Sequence, residues 1–152
     1  MTRNTTRERR RRLLVGLCWL LAAAFTVGAL TKFFPGETFF GPPYSEKFVD
    51  WGYPSWFRFV VGAGELVGAV LIVQPRRRFL GTAVLGVILV GAVITHIANR
   101  HPLGASAAAP VCLALVALVA WASRPVSWSE LWRRATSPST SAPRVGPDSA
   151  MP

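Results

Sequence analysis

The sequence predicts an all-α protein: a bundle of four transmembrane helices, both termini cytoplasmic, with an aromatic outer loop between helices one and two. Three observations carry that expectation. Four apolar blocks, at about residues 13–31, 55–73, 79–98 and 103–123, each come close to the roughly 20 residues that a helix needs to cross a hydrocarbon layer. Of the 152 residues 51% are hydrophobic and only 16% charged, and most of the charges lie outside the blocks. The basic residues are also lopsided. Arg3, Arg7, Arg9, Arg10, Arg11 and Arg12 precede the first block, Arg76, Arg77 and Arg78 separate the second from the third, and Arg124, Arg133, Arg134 and Arg144 follow the fourth. In a four-span arrangement all of these share one side, leaving Lys32, Lys47, Arg58 and Arg100 on the other. The positive-inside rule makes the richer side cytoplasmic. A net charge of +10 is thereby accounted for by topology and contact with anionic lipid, and nucleic-acid binding is excluded.

Taken in order, residues 1–12 read as a basic, disordered cytoplasmic arm, followed by a membrane domain over 13–123. Arg10-Arg11-Arg12 before an apolar stretch has the flavour of an export signal. The stretch is longer than a signal's apolar region and ends in Thr31-Lys32-Phe33-Phe34 without a small-residue cleavage site, so the first helix is retained. The outer loop, 33–54, holds Phe33, Phe34, Phe39, Phe40, Tyr44, Phe48, Trp51 and Tyr53 among prolines and glycines, which suits a lid over the helix ends. Gly62, Gly64 and Gly68 in the second helix and Gly81, Gly86 and Gly91 in the third provide for close helix approach. Pro110 is expected to loosen the fourth helix, with Ser106 one turn back available to a freed backbone group. Over 124–134, Ser127 and Glu130 form a capping box ahead of Leu131 and Trp132, predicting a short amphipathic helix on the membrane surface. Residues 135–152 are Ser/Pro-rich and predicted to be disordered.

Candidate functional residues are the ionisable groups within the blocks. Glu65 stands near the middle of the second helix, where a carboxylate is expensive unless protonated or paired, and so should face the bundle interior. Arg58 lies two turns from it on the same face. His96 and Asn99, near the end of the third helix, gather with Lys32 and Arg100 at the outer level, and Trp51 and Tyr53 cover them. An imidazole, a carboxylate and cations in that arrangement suit an anionic or quinone-like oxygen. Cys18 and Cys112 are too far apart in sequence for a CxxC motif and read as small core residues. His96, His101 and Glu65 lack ligand spacing, so no metal site is expected.

Trp51-Gly-Tyr-Pro-Ser-Trp56, Gly62-Ala-Gly-Glu65-Leu-Val-Gly68, Pro75-Arg-Arg-Arg78 and Gly91-Ala-Val-Ile-Thr-His96 together resemble the DoxX-like family of small four-helix membrane proteins over about residues 13–123. The resemblance implies the four-helix fold, with Glu65 and His96 inheriting any shared site. Relatives of that kind include subunits of a thiosulfate:quinone oxidoreductase, members of redox-stress membrane complexes, and more distant chaperones or cargo receptors. With no cysteine pair or soluble redox domain, the expected role is an accessory, non-catalytic subunit holding a small hydrophobic ligand or a partner helix. No cofactor is evident from the residues; a quinone is the cofactor that the resemblance admits. The expected partners are the lipid bilayer, a membrane or peripheral redox enzyme and, in an oligomer, further copies of the chain. The alternatives are a membrane subunit of a quinone-linked oxidoreductase acting on thiosulfate or thiols, a membrane chaperone, and a proton-coupled transporter. The transporter stands last because the cytoplasmic halves of the helices hold almost no ionisable groups.

Overall fold

The computed structural model describes residues 2–38, 41–100 and 106–123. Those residues form five helices: α1 (Thr2–Phe33), α2 (Tyr44–Asp50), α3 (Phe57–Val73), α4 (Arg78–Ala98) and α5 (Ala108–Ser123). The fold is all-α, as the apolar blocks predict. The surface helix expected over 124–134, the tail 135–152, and Phe39, Phe40 and His101 lie outside the described residues.

Residues 2–12, expected to be a disordered arm, are helical, because α1 begins at Thr2 and runs on through the arginines. Glu8 and Arg12 stand 4.0 Å apart at i,i+4 spacing, both highly exposed, a pairing that gives modest support to a helix in water. With a rise of about 1.5 Å per residue α1 is about 48 Å long, well beyond the ~30 Å hydrocarbon layer, so its basic turns project past the bundle.

α1 packs chiefly against α3, α3 against α4, and α4 against α5, while α5 touches α1 more lightly. The core runs through all four: Cys18, Leu21 and Phe25 of α1, Ala69 and Ile72 of α3, Leu85 and Leu89 of α4, and Val116 and Val119 of α5. Glycine brings α3 and α4 together. A Cβ on Gly81 would stand 2.5 Å from the Ile72 backbone nitrogen, and one on Gly68 would stand 2.6 Å from Leu85. Gly86 and Gly91, which the sequence assigns the same duty, have nothing within 4 Å of that position. Pro110 stands in the first turn of α5, and a break in the helix precedes it, with Ser106 helical and Ala107 in a turn.

The exterior is apolar as well. Leu13, Trp19, Leu20, Val67, Val70, Leu80, Val87, Ile94, Val111, Leu118 and Trp121 are all exposed, with Val87 76% exposed in the middle of α4. Such a surface is unlike that of a protein surrounded by water. By length and composition, α1 and α4 can each cross a membrane, and α5 is a shorter apolar helix.

The connection from α1 to α3 is more ordered than a loop. Just past the cap residue Trp51, Gly52 takes φ +82, while the Gly52 N–H donates to the Val49 carbonyl and the Tyr53 N–H to the Phe48 carbonyl. Those two bonds and the left-handed glycine make a Schellman motif. The Trp51-Gly-Tyr-Pro element is therefore the stop of α2, and it sets Trp51 and Tyr53 on either side of a fixed turn.

Candidate functional site

At the end of the bundle that α2 covers, a cavity of about 700 Å³ opens between α3 and α4. Its α3 wall is Phe57, Val60, Val61, Gly64 and Glu65, and its α4 wall includes Val84, Val87, Ile88, Gly91, Ala92, Thr95 and His96. Spacings alternating between three and one place each set on one helix face. Lys32 contributes from α1, and the roof is built from Tyr44, Phe48, Trp51 and Tyr53.

The roof is held by ring contacts. Phe48 is buried, with ring centroids 5.4 Å from Trp51, 6.1 Å from Tyr53 and 6.2 Å from Phe57. A seven-residue helix is too short to persist alone, so burial of Phe48 is what fixes α2 here. Two further contacts join the roof to α4: Tyr53 Oη lies 3.0 Å from Thr95 Oγ1, and the Trp51 ring meets His96 edge-on at 5.7 Å.

Lys32 and Glu65 form the main electrostatic feature. Both are buried, 8% exposed apiece, and Lys32 Nζ donates to Glu65 Oε2 at 2.7 Å and to the Gly28 carbonyl at 3.1 Å. Helical side chains lean toward the N-terminus, so Lys32 reaches back down α1 toward Gly28, and Gly28 has no side chain to obstruct it. The same ammonium lies 4.9 Å from the centroid of the Tyr44 ring, and Lys47 Nζ is also 4.9 Å from that centroid. Both lysine ammonium groups thus face the Tyr44 ring. Burial, with Glu65 nearby, pushes the Tyr44 phenol up, against a hydrogen bond with Thr31; it remains a protonated donor at neutral pH. Burial also moves the Lys47 ammonium below its ordinary value.

Of the candidate residues, Lys32, Glu65, His96, Trp51 and Tyr53 line this cavity and Arg58, Asn99 and Arg100 do not. Arg58 turns to the end of α1, where Nη1 donates to the Phe34 carbonyl at 3.3 Å and the guanidinium lies 4.5 Å from the Phe59 centroid. A cation at a helix C-terminus meets carbonyls with no partner of their own. Asn99 caps α4 by donating its side-chain amide to the Thr95 carbonyl at 2.9 Å. Similarly, buried Arg78 donates Nε to the Ile72 carbonyl at 3.0 Å, so one arginine of the basic turn closes the end of α3. Tyr44, Phe48, Phe57, Thr95 and the two apolar walls complete the cavity. The 3-1-3-1 spacing of Val84, Val87, Ile88, Gly91, Ala92, Thr95 and His96 was the sequence signal for the α4 wall.

Among the described residues no group of three or more His, Cys, Asp or Glu could hold a metal ion. Cys18 is buried and Cys112 half-buried, and both are free thiols.

An apolar exterior, two helices long enough to cross a bilayer and a buried ion pair at a covered cavity define a helical membrane protein. Residues 16–120 match the model of the DoxX-like family, and the chain belongs to that family. No curated protein and no solved structure matches it.

Proposed function

We propose that this protein crosses the membrane four times, with both termini in the cytoplasm and the α2 roof outside, and that it holds a small, neutral, lipid-soluble ligand of the quinone class. It acts as an accessory subunit to a membrane or peripheral redox enzyme rather than as an enzyme by itself. The apolar outer faces of α1, α3, α4 and α5 support four crossings. The arginines in the first turns of α1, at the turn from α3 to α4, and after α5 support the orientation.

The single observation that carries the ligand reading is the roofed cavity of about 700 Å³, within the range of about 300–1,000 Å³ typical of small-molecule sites. A partner helix is the poorer fit. Val84 to His96 spans about 18 Å along α4, and a helix about 10 Å across would occupy roughly twice that volume over the same length. The chemistry favours a neutral head. Lys32 and Glu65 neutralise each other, whereas the hydroxyl of Tyr44 and the imidazole of His96 suit carbonyl oxygens, the Tyr53 and Thr95 hydroxyls being engaged with each other and with the Gly91 carbonyl. A quinone would supply electron-accepting chemistry; the chain's residues bind and orient it, and the roof keeps water away.

The test is extraction of the protein purified in native lipid, with mass spectrometry of the released small molecules, beside Gly91→Leu. Gly91 has open space around it and lines the cavity, so leucine fills the chamber without disturbing helix packing. The expected result is a quinone-class molecule near one per chain in the unmodified protein, and a large loss in the variant. Equal amounts from both would sink the reading.

A further inference from the structure

We infer that the ligand enters and leaves sideways, from the bilayer through the seam between α3 and α4, and that it is an amphiphile whose hydrocarbon tail passes out through that seam. This rests on the ligand reading above and specifies the ligand's shape and route.

Three observations support it. First, the wall made by α4 and its roof is graded along its length: Tyr53, Thr95 and His96 stand at the α2 end, while only aliphatic residues and glycine line α4 from Ala92 down to Val84, and the Lys32–Glu65 pair on the facing side is joined to itself. A polar head with an apolar tail matches that order in one orientation, head beneath the roof. Second, the wall is open where it is apolar. Val60 and Val87 line the cavity, yet they are 52% and 76% exposed, so the surroundings reach the chamber from the side. Val87 lies midway along α4, at the depth where those surroundings are hydrocarbon. Third, the end-on route is closed by packed rings and bonds: Phe48 is buried among Trp51, Tyr53 and Phe57, and Tyr53 is bonded to Thr95. Deeper between the helices, Leu85 sits against Gly68 and Ile88 against Gly64, which shuts the inner side of the seam and leaves the lipid side open.

The experiment compares two benzoquinones with the same head, one bearing a ten-carbon tail and one bearing none, binding to the full chain in lipid nanodiscs. A double variant, Val60→Trp/Val87→Trp, narrows the seam. Both positions face lipid, where tryptophan is tolerated, and Val60→Ala/Val87→Ala controls for loss of the valines. The tailed probe is expected to bind the tryptophan variant roughly tenfold more weakly, the scale of a forced misfit at a packed surface. The tailless probe should be unchanged within about twofold, and the alanine variant should bind both normally. If the tryptophan variant weakens both probes equally, or neither, the sideways route is overturned while the chamber stands. Gly91→Leu tests the chamber separately and should weaken both probes. If it weakens neither, or if neither probe binds the unmodified protein, the ligand reading fails and this inference fails with it.

Discussion

Removing one member of the Lys32–Glu65 pair should be among the most damaging single changes in the bundle. Both groups are 8% exposed and joined by a 2.7 Å hydrogen bond, so neither retains enough water to be stable alone. Loss of one partner of a buried pair costs about 3–5 kcal/mol, whereas replacing both with apolar groups is often near neutral. The residual exposure and the nearby Tyr44 hydroxyl point to the lower end, about 3 kcal/mol for Lys32→Met. Glu65→Leu should cost less. The freed ammonium keeps the Gly28 carbonyl and the Tyr44 ring, and its long stem can swing toward water, which the short Glu65 side chain cannot do. The double variant Lys32→Met/Glu65→Leu should recover most of the loss, leaving about 1 kcal/mol. Reversible unfolding in mixed detergent micelles, followed by tryptophan fluorescence, measures all four corners of the cycle. If both single changes cost under about 0.5 kcal/mol, or if the two costs simply add, the pair does not tie α1 to α3 and the reasoning is refuted.

Three further outcomes are expected. Gly81→Ala should destabilise by about 1–3 kcal/mol because its Cβ would meet Ile72 backbone that cannot yield, whereas Gly86→Ala, with open space around it, should be neutral or slightly stabilising in the same unfolding assay. Gly52→Ala should cost about 1–2 kcal/mol from its left-handed backbone alone and should loosen Trp51 and Tyr53, read as faster hydrogen exchange across α2; Gly52→Asn should recover part of both effects. Lys47 and Lys32 are the two lysines of the chain, so a membrane-impermeant amine reagent applied to intact cells should label Lys47 and spare buried Lys32. Because burial lowers the Lys47 ammonium, labelling should already be substantial below the ordinary lysine range. Labelling of Lys47 only after cells are opened would reverse the proposed orientation.

Much of the helical framework was legible because apolar length is a strong signal and each block needed only its own residues. Glu65 and His96 stood out for the converse reason, as ionisable groups inside apolar runs. The Lys32–Glu65 contact was hidden because depth along a helix was judged from backbone position, while a lysine covers a full turn and is expected to reach outward. Only the small residue at Gly28 signals that this one can reach inward. Arg58 and Asn99 were drawn into the site by their level, yet each serves a helix end, a demand set by backbone carbonyls that sequence patterns do not display. The roof was partly legible. Its aromatic content was plain, but α2 and its stop at Gly52 were not, because a seven-residue helix held by one buried phenylalanine leaves almost no periodicity. The helical continuation of α1 through its arginines was missed because composition alone suggested an unstructured arm.

Whether the space between α3 and α4 beneath the roof holds a ligand can be read from an experimental density map of the protein purified in native lipid. The expected map shows elongated density that no side chain explains, with its head beside Tyr53, Thr95 and His96 and its tail leaving past Val87. A chamber closed by α2 settling between α3 and α4, or one without such density, would contradict it.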